Sequence, residues 1–211
     1  MNNYVPENFE LRKMARDRLR GNWLIPIIVS VLASLITVAP EKIEDIGRLI
    51  SFLIAGPVVW GSTCFFLKFI DSEEAYVNDF FSGFKKFGKA LITNIIISFF
   101  VILWSLLFIV PGIIAALRYS QTYYILAEYP NLSPIEAINE SKRIMEGNKM
   151  QLFLLGWSFF GWAILSVISF GMGFIWLIPY VNTSYALFYR SLREAGFENK
   201  YQEKNEHDFL Y

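Results

Sequence analysis

Two residue types on which site chemistry often depends are nearly missing from this sequence: there is one cysteine, Cys64, and one histidine, His207. A single cysteine excludes an internal disulfide framework, and a single histidine near the C-terminus excludes most histidine-based metal sites, so both read as incidental. Charge is scarce too, at 18% of residues where an ordinary soluble domain carries about 25%. The 19 basic and 19 acidic residues cancel, and no basic excess points to nucleic acid as a partner. Missing as well are a nucleophile with a base at a recognised spacing, paired carboxylates in an apolar segment, a metal-ligand cluster and a glycine-rich phosphate loop. The interiors of the apolar segments hold no Asp or Glu, which argues against a carboxylate proton relay. The expectation is a protein that is not an enzyme and needs no cofactor.

What is present is apolar surface in long runs. Hydrophobic residues make up 55% of the chain and aromatics 18%, and the mean hydropathy is positive. From Met150 to Tyr189 no side chain is charged. A hydrocarbon core of roughly 30 Å takes about 20 apolar residues per helical crossing, so this stretch is long enough to cross twice. Its midpoint, Phe170-Gly171-Met172-Gly173, has the backbone freedom for a tight reversal. The same reading along the chain predicts an all-α polytopic membrane protein, one membrane domain over residues 1–211. Six transmembrane helices in three hairpins fall at residues 23–39, 49–67, 91–110, 113–129, 150–170 and 174–189. The first apolar run is too long for a signal-peptide core and is followed by Pro40, so it reads as a retained crossing. Pro26 falls in a first helical turn, where it is tolerated. Gly56-Pro57, Pro111-Gly112 and Pro179 mark helix breaks or kinks, with Pro111-Gly112 taken as the boundary between the third and fourth crossings.

Three polar stretches read as helices on the cytoplasmic surface. The first carries Arg12, Lys13, Arg16, Arg18 and Arg20, with Leu11, Ala15 and Leu19 at four-residue spacing, a basic amphipathic helix suited to anionic headgroups. The alternative is a solvated helix that leads into the membrane. The second runs over residues 71–89, with Tyr76, Val77, Phe80, Phe81, Phe84 and Phe87 on one face. The third has a capping box, Ser133 with Glu136, Pro134 at the first helical position and Gly147 as its stop, predicting a helix over residues 134–146. Because residues 113–129 are short and contain Arg118, a re-entrant loop competes with the fourth crossing. Six crossings leave only Lys42 and Arg48 among the connecting segments outside, whereas failure of the fourth erases the bias; the positive-inside rule therefore favours six, with both termini cytoplasmic.

Arg118 is the ionisable group of interest inside a predicted crossing, and Gln121 and Tyr123 share its segment while Asn94 and Asn182 stand in neighbouring ones. Together they form a candidate intramembrane polar site for a lipid headgroup, a peptide or an anion. The plainer alternative has Arg118 reaching the headgroups while the others bond between helices. Two internal echoes suggest duplicated hairpins. Ala15-Arg16, Leu19 and Gly21-Asn22 match Ser141-Lys142, Met145 and Gly147-Asn148; Pro57, Val59, Ser62, Phe66 and Lys68 match Pro179, Val181, Ser184, Phe188 and Arg190. Repeats of this kind are common in transporters.

The ordered set Gly21-Asn22-Trp23, Gly56-Pro57, Phe80-Phe81 with Gly83-Phe84, Pro111-Gly112-Ile113-Ile114, Tyr119-Ser120 with Tyr123, Glu136-Ala137, Ser141 with Met145 and Gly147, and Pro179-Tyr180 resembles an uncharacterised family of bacterial multi-pass integral membrane proteins known only as a domain of unknown function. Parts of it are similar, more distantly, to the membrane domain of some glycerophosphodiester phosphodiesterases. The resemblance implies a multi-pass helical fold in a bacterial cell membrane and no established activity. A basic residue often follows the proline-glycine turn in that family, whereas Ala115 and Ala116 stand here and the charge comes at Arg118. The expected role is a non-enzymatic module of envelope maintenance with membrane lipids as partners, and a peptide, another membrane protein or a second copy as further ones. The alternative is a small permease or channel built from repeated hairpins.

Overall fold

A computed structural model describes residues 5–42, 44–71 and 74–195, with no side-chain description for residues 41–45. His207 and the tail beyond residue 195 lie outside the described residues. Among the described residues every regular element is helical. The chain runs through α1 (Asn8–Leu19), α2 (Leu24–Val38), α3 (Glu44–Asp71), α4 (Val77–Phe80), α5 (Ser82–Lys85), α6 (Phe87–Leu107), α7 (Ile109–Tyr119), α8 (Thr122–Glu128), α9 (Pro134–Ile144), α10 (Lys149–Trp157), α11 (Phe160–Ile168) and α12 (Phe174–Glu194).

These helices fall into three units, each with a short charged helix, an outer helix and a return helix: α1-α2-α3, α4/α5-α6-α7/α8, and α9-α10/α11-α12. The packing between units is cyclic. The short helix of each unit lies on the return helix of the unit before it, α4 and α5 on α3, α9 on α8, and α1 on α12. Each outer helix also touches the preceding return, α6 on α3, α10 on α7 and α2 on α12. Both α8 and α12 pack against α3, and Tyr124 of α8 stacks on Tyr189 of α12 with ring centroids 5.2 Å apart. Phe65, Phe66, Leu126 and Phe188 fill the space between the returns, each at most 1% exposed.

The two sequence echoes thus belong to a pattern repeated three times. At the start of each short helix an acidic side chain reaches back to a backbone N–H three residues earlier: Glu10 accepts from Glu7 at 3.2 Å, Asp79 from Tyr76 at 3.0 Å and Glu136 from Ser133 at 2.9 Å. This satisfies one of the orphan donors of a helix N-terminus. The residue after each acid, Leu11, Phe80 and Ala137, is completely buried. At the junction of short and outer helix, Gly21 and Gly147 have φ of +83° and +82°, a conformation that side-chain-bearing residues avoid. The third copy escaped the sequence reading because its aromatic residues hid the spacing. The expected single helix over residues 71–89 is in fact two one-turn helices: Phe80 is buried, but Tyr76, Phe81 and Phe87 are exposed, so the six residues do not share a face. Tight packing explains the irregularity, since a Cβ on Gly61 of α3 would stand 1.9 Å from the Phe80 carbonyl oxygen.

Several predicted boundaries move. The second apolar helix begins at Glu44, following a 3-10 turn over Ala39–Lys42, so the expected polar loop is mostly helical. The third begins at Phe87 and ends at Leu107; the break falls at Phe108, whose φ and ψ of −162° and 154° are extended, and Pro111-Gly112 lies inside the first turns of α7. Proline costs no intrahelical hydrogen bond there, as is also true of Pro26 in α2. Gly112 serves contact instead, because a Cβ on it would meet the Ser105 side chain of α6 at 2.1 Å. Helices α3 and α12 run on through Pro57 and Pro179. The reversal at Phe170-Gly171 is as expected, with φ of +53° and +85°.

Among the described residues three helices are long and apolar enough to cross a membrane, Ile46–Asp71, Phe87–Leu107 and Lys149–Ile168, and a fourth is reached if α1 and α2, bent by 105° from one another, are counted as one span. Six such helices are not evident among the described residues. Helix α2 alone spans about 22 Å at a rise of about 1.5 Å per residue. The predicted fourth crossing is divided between α7 and α8, and α12 mixes apolar residues with Asn182, Thr183, Ser184 and Arg190.

Candidate functional site

The division between α7 and α8 has a local cause. Ser141 of α9 is fully buried, and its hydroxyl donates to the Arg118 carbonyl at 2.8 Å while accepting the Gln121 backbone N–H at 3.2 Å. A serine from another helix thereby supplies partners to two backbone groups that a continuous helix would have bonded internally. The Ser120 and Thr122 hydroxyls donate to the Leu117 and Tyr119 carbonyls at 2.8 Å each, completing the corner.

The five polar residues expected to converge do not form one cavity. Arg118 is exposed in the last turn of α7, and its carbonyl is held by Ser141 of α9, so its guanidinium lies on the surface and away from an internal cavity, as the plainer alternative has it. Tyr123 and Asn94 pair with each other, the tyrosine hydroxyl 3.5 Å from Asn94 Oδ1, and the Asn94 amide donates to the Phe52 carbonyl at 3.2 Å, tying α8, α6 and α3 together. Gln121 and Asn182 line a common space. This is an apolar cleft of about 680 Å³ between α7/α8, α10/α11 and α12, walled by Leu117, Trp157, Phe160 and Phe174 among others. Gln121 is 1% exposed; its side-chain N–H donates to Ser120 at 2.9 Å, and its Oε1 is buried without a partner. A buried acceptor left unpaired costs about 1–3 kcal/mol; on the lining of the cleft Gln121 stands with the polar side chains of Ser120, Asn182 and Tyr185. Among the described residues no three Cys, His, Asp or Glu stand close enough to share a metal ion.

A second polar cluster was not anticipated. Glu128, at the end of α8, accepts from the Tyr189 hydroxyl at 2.7 Å, from Arg190 at 3.0 Å and from Arg193 at 2.6 Å, and Arg190 also pairs with Asp71 of α3. The C-terminal ends of all three return helices are thereby joined. The sequence held a signal for it, an acidic residue closing the predicted fourth crossing and two arginines just after the predicted sixth, but nothing in the spacing said that those ends meet. Two further basic side chains fasten to the same end: Arg18 of α1 donates to the Phe69 carbonyl at 2.7 Å, and Lys89 in the first turn of α6 to the Pro130 and Leu132 carbonyls at 2.8 and 2.9 Å.

No curated protein and no solved structure matches the chain, so the distant likeness to the membrane domain of glycerophosphodiester phosphodiesterases is without support. A family model described as "Protein of unknown function (DUF975)" matches residues 1–117 and 107–196. With nearly the whole described length covered, the chain belongs to that family.

Proposed function

We propose that this protein is a non-enzymatic, six-crossing integral membrane protein of the bacterial cell membrane, with both termini cytoplasmic, that holds lipid or a lipid-soluble ligand at its flank in the service of envelope maintenance. The observation that carries the reading is the cleft with Gln121. Its walls are mainly apolar, with Ser120, Gln121, Asn182 and Tyr185 among them, which suits a largely apolar ligand that carries a hydroxyl or amine. Six crossings are supported by the three-unit repeat, since one orientation of the outer helix in all three units calls for the same number of passes in each. Cytoplasmic termini are supported by the basic residues of α1, α5 and α9, which the positive-inside rule assigns to one side.

The permease or channel reading needs a route along the axis, and the aromatic and aliphatic side chains between the returns weigh against one. Mass spectrometry of gently solubilised protein tests the proposal: a small molecule should remain bound to the wild type, and Gln121→Leu should lower its occupancy at least several-fold while the fold survives. Solute flux in proteoliposomes, with no retained ligand, would overturn it.

A further inference from the structure

A second groove lies beneath α1, bordering the first cleft at Leu177 of α12. It has a volume of about 590 Å³ and runs between α1, α11 and α12. Its roof is basic. Arg12 and Arg16, one helical turn apart on α1, both line it, and neither forms an ion pair among the described residues. The other basic residues on α1 and at its C-terminal cap do not contribute: Arg18 is engaged with the Phe69 carbonyl and ring, and neither Lys13 nor Arg20 lines the groove. Trp23, at the junction of α1 and α2, flanks the roof, as expected of an indole at headgroup level.

Below the roof the walls are mainly apolar, with Ser166 and Ser169 interspersed. Trp162 and Leu165 of α11 and Trp176 of α12 line the groove, and each is more than half exposed, so this side of the groove faces the surroundings of the bundle rather than its core. The Tyr180 hydroxyl donates to the Arg12 carbonyl at 3.2 Å, which fixes the roof over that level of α12. From Tyr180 to Gly173 at the foot of the groove the helical rise amounts to about 10 Å. A paired cationic contact above and an aromatic slot below match, in charge and in polarity, an anion attached to a hydrocarbon chain.

We infer that this groove binds one anionic phospholipid of the cytoplasmic leaflet, its phosphate on Arg12 and Arg16 and an acyl chain along Trp162 and Trp176. The inference rests on the membrane-embedded reading above but uses a different site, independent of Gln121. It also separates a built site from a general attraction of basic helices to acidic membranes, because α1 supplies its own control.

The test reconstitutes the full chain in nanodiscs of equal parts phosphatidylglycerol and phosphatidylcholine and counts retained lipids by native mass spectrometry. Wild type should retain phosphatidylglycerol over phosphatidylcholine, and Arg12→Ala/Arg16→Ala should reduce that preference about tenfold. Lys13→Ala/Arg20→Ala, which removes the same charge, should leave it within a factor of two, and Arg12→Lys/Arg16→Lys should restore part of it. Equal loss in the two alanine pairs would overturn the inference in favour of surface attraction. Lipid retained without headgroup preference would overturn it and leave the broader lipid-holding reading standing, whereas retention of no lipid or other ligand by the wild type would remove both.

Discussion

Ser141 is the residue whose environment differs most from what its type suggests. In an amphipathic helix a serine reads as surface, yet here it is fully buried and bonded to two backbone groups of a neighbouring element. Replacing it with alanine leaves the Arg118 carbonyl and the Gln121 N–H without that partner, and we expect a loss of about 1–3 kcal/mol, read as a lower unfolding midpoint in detergent. Gly61 makes a different demand, for space. Gly61→Ala sets a methyl group against the Phe80 backbone and should destabilise far more than Gly88→Ala, where a Cβ meets nothing within 4 Å. Comparing the two variants' midpoints separates the steric effect from any general cost of losing glycine.

Among the elements, the junctions between short and outer helices decide the geometry. Helix α1 turns through 105° into α2, and the turn depends on Gly21 in the left-handed region, as Gly147 does between α9 and α10. Neither glycine has a neighbour that a Cβ would strike, so the cost of alanine there is conformational, about 1–2 kcal/mol for each. Thermal unfolding of Gly21→Ala, Gly147→Ala and the double variant should show nearly additive losses, because the two junctions share no partners. The capping box of α9, the uncharged stretch before Tyr189, the reversal at Phe170-Gly171 and the apolar spacing of Leu11, Ala15 and Leu19 were all legible in the sequence. They depend on residues within a few positions of one another. The break at Phe108 and the corner at Ser120-Gln121 were not legible, because the first is a matter of one residue's backbone and the second is created by a serine some twenty positions further on.

At the scale of the molecule, Glu128 holds the three return helices at their charged ends. Glu128→Ala removes the acceptor for one tyrosine and two arginines, and we expect it to cost about 3 kcal/mol, whereas Asp79→Ala, which loses one exposed pairing with Lys68 and a helix-start contact, should cost about 1 kcal/mol. Denaturation in mild detergent provides the comparison. The proposed orientation is checked by placing a cysteine at Lys142 in a Cys64→Ala background; a membrane-impermeant maleimide should label it in inside-out vesicles and leave it unlabelled in intact cells.

The sequence by itself determined the helical class, the apolar segments and the existence of a repeat, because each follows from side-chain polarity and short-range spacing along one chain. Only the tertiary structure decided that the repeat is threefold and cyclic, that Arg118 is exposed while Gln121 is buried, and that Glu128 meets Arg190 and Arg193. Those outcomes depend on which helices become neighbours, and helices in this chain are apolar on so many faces that composition does not single out the partner. The choice is made by close approach at Gly61 and Gly112, by hydrogen bonds such as those of Ser141, and by the joined charges at the helix ends, each of which exists only once distant segments have come together.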